Sequence, residues 1–160
     1  MFRVQHLFVF IFLLLCLWSC RKDPTANFED LDLLSYGMPI VIKAPVDAEV
    51  KKMDLVYMKD ITVTRGNNYN VQIFEADATT HDIEVVKARL LNEVKANPYF
   101  FGIVQEDPAG FIYESHVDSN YVNYGFRYVR IQADKEYVFQ QGLRGKFSKE
   151  DIEAMYEAVK

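Results

Sequence analysis

Three side chains in the second half of the chain have the types and spacing of a small metal or acid–base site. Glu114, His116 and Asp118 alternate along a predicted strand, so all three project from one of its faces. An imidazole beside carboxylates can bind a divalent metal, or act as a general base that a carboxylate orients. However, Asp118 also belongs to a predicted turn, the metal ligand set is incomplete, and a solvated strand gives the same pattern. Both interpretations stay open.

Other residues with chemical potential are few. His81 and Glu84 stand three residues apart at a predicted helix start, where they could ligate a metal or match the helix dipole. Thr79 and Asp82 resemble a capping box there. The sequence contains no phosphate-binding glycine loop and no HExxH, CxxC or GxSxG motif. No cofactor is therefore predicted.

Aromatic residues are concentrated between Tyr99 and Phe139, where eleven of them occur. One interpretation is a sheet buried on both faces, because large aromatic side chains usually fill cores. The other is an exposed tyrosine-rich surface, since tyrosine combines a large contact area with a polar group. In that case we expect a protein partner to contact Tyr121, Tyr124, Arg127, Tyr128 and Arg130.

The first twenty residues predict export from the cytoplasm. A single basic residue, Arg3, precedes an apolar run from Leu7 to Leu17, and the polarity changes abruptly after Cys20. A charged start, a short apolar core and a small residue at the cleavage site define a secretory signal. The run is too short for a spanning helix, which needs about 20 apolar residues.

The end of this segment resembles the lipobox of bacterial lipoproteins. Leu17, Trp18, Ser19 and Cys20 occupy its four positions, although Trp18 is bulkier than the usual residue. The resemblance implies that Cys20 is acylated and becomes the mature N-terminus, while Cys16 is removed. The alternatives are an ordinary signal peptide that ends in a chance cysteine, and an uncleaved anchor.

This resemblance also implies a location. Stable membrane anchoring takes at least two acyl chains, which a fully modified Cys20 would supply. Arg21 follows it instead of the aspartate that favours inner-membrane retention in many Gram-negative lipoproteins, so we expect an outer-membrane lipoprotein of the cell envelope. Whether it faces the periplasm or the cell surface stays open.

The chain is divided into three predicted parts. Residues 1–19 are the signal peptide, residues 20–35 are the lipidated cysteine and a tether, and residues 36–160 are one globular domain. The distal tether could pack locally through Leu31, Leu33 and Leu34. The formal net charge of −5 argues against nucleic acid as a partner, because nucleic-acid affinity depends on basic contacts with phosphates.

Periodicity predicts an α+β fold. Strands are expected in residues 38–44, 53–65, 69–73, 100–106, 111–117, 124–131 and 136–140, and a single turn of helix in 47–52. An apolar stripe from Ile83 to Val94 predicts a helix, and Ser148 and Asp151 cap a terminal one. The prediction is an antiparallel sheet of about six to seven strands covered by a long central helix and a C-terminal helix.

The element order resembles the PsbP/Mog1-like sandwich, including a final helix introduced by Phe147-Ser148-Lys149-Glu150. That resemblance implies partner binding rather than catalysis. The sequence therefore predicts a non-catalytic envelope lipoprotein that binds a protein partner and is attached to the membrane through its lipid. The alternatives are a small metal-dependent or acid–base enzyme that uses Glu114, His116 and Asp118, and a module that binds an apolar ligand between helix and sheet.

Overall fold

The computed structural model describes residues 23–55, 57–118 and 121–160. Within them the chain forms nine strands, a short 3-10 helix (Leu34–Tyr36) and two α-helices, α1 (Ile83–Lys95) and α2 (Lys149–Ala158). The strands are β1 (Phe28–Asp32), β2 (Val41–Pro45), β3 (Glu49–Asp54), β4 (Lys59–Arg65), β5 (Tyr69–Asp77), β6 (Phe100–Asp107), β7 (Gly110–Asp118), β8 (Tyr121–Gln132) and β9 (Lys135–Gln141). The predicted signal peptide and both cysteines lie outside the described residues.

Seven strands form one antiparallel sheet in the order β3-β4-β5-β9-β8-β7-β6, and β1 pairs with β2 in a separate hairpin. The α+β prediction with an antiparallel sheet of six to seven strands is confirmed. The prediction of a long central helix is wrong, because α1 has only 13 residues. Asp82 caps its start by accepting hydrogen bonds from the backbone of Glu84 and Val85, and Pro98 follows its end.

The main core lies on the face of the sheet that α2 and the β1–β2 hairpin cover. Alternate residues of β4 and β5 are fully buried there, among them Ile61, Val63, Val71 and Ile73. They pack with buried residues of the hairpin, β8, β9 and α2: Leu33, Met38, Ile40, Ile42, Phe126, Tyr137, Phe139, Ile152, Met155 and Tyr156. The period of two in the strands therefore directs one apolar face inward.

α1 covers part of the opposite face. Its residues Val86, Leu90 and Val94 pack against Phe111 of β7 and Val129 of β8 in a second, smaller core. The spacing of these helix residues places them on one side of α1, as predicted. Neither α1 nor α2, the helices of the described part, is long and apolar enough to cross a bilayer.

Residues 28–35 belong to the folded domain, which corrects their assignment to a tether. β1 pairs with β2 in register from Phe28 opposite Pro45 to Asp32 opposite Val41. Leu33 is fully buried in the main core, whereas Leu34 stays exposed. The acidic composition of β1 suggested a solvated segment, but its strand conformation depends on pairing with β2, a contact that local composition does not reveal.

The β3–β4 region differs from the prediction in a second way. Residues 47–52 are not helical: Asp47 has a positive φ of 60° in a turn, and Glu49–Asp54 form β3. β3 pairs with β4 from Glu49 opposite Thr64 to Asp54 opposite Lys59. The predicted single strand 53–65 is therefore two strands with a tight turn between them.

The sheet has two edge strands, β3 and β6. β6 is irregular against β7, with register shifts between Phe100 and Gly102 and between Ile103 and Gln105. β3 is regular but contains Lys51 and Lys52. Bulges and lysines of this kind are common features of exposed sheet edges.

The strand directions define two ends of the molecule. We call one of them the near end; it contains the β4–β5 turn, the start of α2 and Pro24. Pro24 shares a cleft there with Arg65 and Asn68. β7 and β9 end there, and β8 begins there. We call the opposite end the far end; it contains the turn that connects β3 with β4 and the turn that connects β8 with β9.

Candidate functional site

Glu114 and His116 are adjacent in the structure, as their alternation on β7 predicts. His116 Nε2 lies 2.5 Å from Glu114 Oε1, and the imidazole is stacked on the Phe101 ring with centroids 4.0 Å apart and planes inclined by 13°. Asp118 ends β7, and its side chain lies outside the described part. Within the described residues, no three His, Cys, Asp or Glu side chains form a cluster that could hold a metal ion.

His81 lies just before α1. Its Nε2 is 3.1 Å from the Ala133 carbonyl oxygen and 3.6 Å from Asp134 Oδ1, so the ring contacts the β8–β9 turn. The residue that caps α1 is Asp82 rather than Thr79, because the Asp82 carboxylate accepts the first free backbone N–H groups. These contacts give His81 a structural role at the helix start.

The five residues predicted to bind a partner are distributed over both faces of β8. Tyr124 and Tyr128 pack against the main core. Arg130 donates to the carbonyl oxygens of Val41 (3.2 Å), Val159 (3.0 Å) and Lys160 (3.3 Å), and thereby joins β2 to the end of α2. Arg127 lies on the opposite face, with its guanidinium 5.8 Å from the centre of the Tyr113 ring.

Tyr121 is the member of this set at the near end of the sheet. The Lys146 ammonium lies 4.9 Å from the centre of its ring, a cation–π distance. The contact connects the beginning of β8 with the loop that precedes α2. The predicted set therefore does not form one patch, and Tyr121 alone borders the exposed surface described next.

Large apolar side chains are exposed at the near end. His116 pairs in register with Val122, and its backbone N–H donates to the Tyr99 carbonyl oxygen, so these residues are neighbours. Phe101 is 66% exposed and Leu143, in the loop before α2, is 92% exposed. We call the exposed apolar residues of this end the near-end surface: Tyr99, Phe101, Val117 and Val122 at the ends of β6, β7 and β8 and, separate from them, Leu143, which lines a recess over β3–β5 with Lys51, Met53 and Thr62.

A second group of exposed apolar residues lies at the far end, on the β3–β4 hairpin. Tyr57 is 91% exposed, and a backbone hydrogen bond of 2.9 Å from Leu55 N–H to the Met58 carbonyl oxygen closes the turn. We call the group the far-end surface: Met53, Leu55, Tyr57 and Met58. The sequence alone does not reveal it, because its alternation predicts one continuous strand over residues 53–65.

A charged recess of about 420 Å³ lies beneath the far-end surface, lined by Lys59, Glu75, Asp77 and Lys135. Glu75 is only 4% exposed, and its Oε1 is 2.7 Å from the Lys59 ammonium. Burial, together with the nearby Glu75 carboxylate, raises the pKa of Tyr137 to about 12. Lys59 also donates to the Gly37 carbonyl oxygen at 2.9 Å, so the base of the hairpin is fixed to the 3-10 helix region.

No family model, curated protein or solved structure matches this chain significantly. The lipobox resemblance and the likeness to the PsbP/Mog1-like sandwich therefore stay predictions. What the structure adds is the placement of the side chains: an imidazole–carboxylate pair stacked on Phe101, and two groups of exposed apolar residues, of which Leu143 and Met53 line one recess.

Proposed function

We propose that this protein is a non-catalytic lipoprotein of the bacterial outer membrane or cell surface, anchored through Cys20, whose far-end surface binds a protein partner in the envelope. The anchor is inferred from Leu17, Ser19 and Cys20 at the end of the apolar leader. The observation that carries the binding function is the exposure of Met53, Leu55, Tyr57 and Met58 within one hairpin turn.

The composition of this surface supports a contact with protein. Tyrosine and methionine are enriched where proteins bind one another, because they bury a large area and adapt to a partner's shape. Single exposed apolar residues are common, but a contiguous exposed group marks an interaction site. Tyr57 is the most exposed of the four residues, and a hydrogen bond from Leu55 N–H to the Met58 carbonyl oxygen closes the turn that carries it.

The position of this surface is consistent with an anchor at the opposite end. The described chain begins at residue 23, and Pro24 packs beside Arg65 and Asn68 at the near end. β4 and the other central strands separate this point from the β3–β4 turn. A lipid on Cys20 would therefore leave the far-end surface pointing away from the membrane, where a partner can reach it.

Site-specific photo-crosslinking in intact cells tests the binding function. A photoreactive amino acid at Tyr57 should give a discrete ultraviolet-dependent adduct with another protein. The matched control is the same amino acid at Val85, which is exposed on α1. Adducts at both positions, or at neither, would contradict a specific far-end contact.

Mass spectrometry of the protein from the membrane fraction tests the anchor. We expect the chain to begin at an acylated Cys20, and Cys20→Ser to move the protein into the soluble fraction. An unmodified Cys20 or a retained residue 1–19 segment would contradict the lipoprotein assignment.

A second candidate function rests on the Glu114–His116 contact. A carboxylate 2.5 Å from Nε2 can orient an imidazole for general base catalysis, and Phe101 would support a bound ring or apolar group beside it. If a substrate class is found, His116→Gln and Glu114→Gln should both reduce turnover. The third alternative, an apolar-ligand module, stays a prediction.

A further inference from the structure

We propose that the near-end surface contacts the headgroup region of the anionic bilayer that holds the lipid anchor, so that the domain is oriented on the membrane instead of swinging freely. This inference rests on the proposed acylation of Cys20. It assigns the near-end surface to lipid and leaves the far-end surface for the protein partner.

The first argument is the shortness of the connection. Residues 23–26 form a turn in which Thr25, 6% exposed, donates both its backbone N–H and its hydroxyl to Asp23 Oδ1 at 2.8 Å. Two residues, Arg21 and Lys22, separate this turn from Cys20, and the three steps from Cys20 to Asp23 span at most about 10 Å when fully extended. Since the predicted tether is mostly part of the fold, an anchor on Cys20 holds the near end against the bilayer.

The second argument is the exposure of apolar side chains at that end. Leu143 projects from the loop before α2, and Phe101 lies at the beginning of β6, stacked on His116. Tyr121, at the edge of the same area, carries the amphipathic ring that is enriched at membrane–water interfaces. Transfer of such side chains into the boundary between headgroups and acyl chains is favourable, because it removes apolar surface from water.

The third argument is charge. The loop of residues 142–148 contains the cations Arg144 and Lys146 and no acidic residue, and Lys149, which follows it, is paired with Glu153 at 3.8 Å. A basic residue at an anionic lipid surface increases binding roughly fivefold. Glu114 contacts His116 and Asp151 accepts hydrogen bonds from Ser148, whereas Asp47, Glu49 and Glu150 are exposed at this end, so the cationic character is confined to the loop itself. The loop around Leu143 therefore presents an apolar tip flanked by cations.

A fluorescent reporter on the lipidated protein tests the orientation. The sequence has only Cys16 and Cys20, and under the proposal neither is free, so Leu143→Cys introduces a unique labelling site. The mature protein would carry an environment-sensitive fluorophore there and be reconstituted in vesicles of phosphatidylcholine with phosphatidylglycerol that contain a lipid-borne quencher. The matched control is Tyr57→Cys, an equally exposed position at the far end.

We expect a blue-shifted, strongly quenched emission from the label at 143 and an unshifted, unquenched emission at 57. Arg144→Glu with Lys146→Glu should remove most of the quenching at 143, as should phosphatidylcholine vesicles without phosphatidylglycerol. Protein that floats with the vesicles but is unquenched at both positions would overturn this inference and leave the anchor intact. Protein that does not float with the vesicles would overturn the anchor proposal and the inference with it.

Discussion

The two ends of the sheet expose apolar side chains in different structural settings. The far-end surface belongs to one hairpin, and its residues are almost consecutive in sequence. The near-end surface is assembled from the beginning of β6, the end of β7, the beginning of β8 and the loop before α2, and its strands continue directly into both cores. A single hairpin can change its residues without disturbing the core, whereas the near end is constrained by the packing of the sheet.

The first prediction has the largest expected effect. It tests whether the residues at the near end of β8 contribute to the packing of the core. Phe126 lies on β8, four residues from Val122, is fully buried and contacts the Tyr156 ring edge-on. Phe126→Ala should lower the free energy of unfolding by about 3–5 kcal/mol, because it removes a large buried side chain and leaves a cavity.

The matched control is Phe101→Ala on the near-end surface, where only the stacking on His116 is lost. We expect a loss of about 1 kcal/mol or less in urea unfolding. Similar losses for both variants would show that the near-end surface is part of the core, and the distinction between core and surface at this end would fail.

The second prediction concerns the β3–β4 hairpin at the far end. Its turn is exposed but its base is buried, and the prediction tests how much the ion pair at that base contributes to stability. Lys59→Met leaves the Glu75 carboxylate buried without its 2.7 Å partner, and Glu75 Oε2 already has no hydrogen-bond partner in the described part. The expected cost is about 1–3 kcal/mol of unfolding free energy.

Lys51→Met, on the exposed strand β3, is the control and should change stability by less than about 0.5 kcal/mol. Adding Glu75→Gln to Lys59→Met should recover part of the loss, because the buried charge is removed. No recovery in the double variant would argue against the ion pair as the cause.

The third prediction concerns pH and the junction between β6 and the C-terminus. The hydrogen bond from Lys160, at 2.7 Å, holds the pKa of Asp107 below its usual value of 3.8. The folded state therefore gains stability from Asp107 above that value, and the gain is lost as the pH falls through the lowered pKa.

Urea unfolding at neutral pH and at progressively lower pH measures this effect. Asp107→Asn should be less stable than the unchanged protein at pH 7 and should approach it in acid. A stability difference that does not depend on pH would show that the Lys160 contact does not contribute through charge.

The smallest expected effect compares the two surfaces directly. Leu143→Ser and Tyr57→Ser replace almost fully exposed side chains, so each should change the unfolding free energy by no more than about 0.5 kcal/mol. Thermal unfolding of both variants checks this. A loss well above that limit at one position would mean that its side chain is covered by the protein's own chain in solution.

The parts of the fold that could be predicted from sequence are those with local signals. The β4–β5 hairpin is confirmed because Gly66 adopts a positive φ of 58° between two alternating strands. The terminal helix is confirmed because Ser148 and Asp151 form a complete capping box. β1 and β3 could not be predicted, since their sequences are polar and only pairing with β2 and β4 makes them strands.

In the candidate site, too, the part that could be predicted is the part with a local sequence signal. The proximity of Glu114 and His116 results from alternation within one strand, so it could be read from sequence. The stacking of Phe101 on His116 involves β6, whose register shifts break the alternation between neighbouring strands. The far-end surface was hidden because no glycine, proline or asparagine marks the turn between Met53 and Lys59.

The two edges of the sheet have a consequence for crowding. Molecules attached to a membrane, as we propose for this protein, meet one another in two dimensions at high local density, with their sheets held in similar orientations. That arrangement favours strand-to-strand polymerisation. The register shifts of β6 oppose it, because a neighbouring strand would meet an irregular ladder there. The charged residues of β3, among them Lys51 and the Lys52–Asp54 pair, oppose it because they would lose hydration in such a contact. The edge structure therefore disfavours strand-to-strand polymerisation.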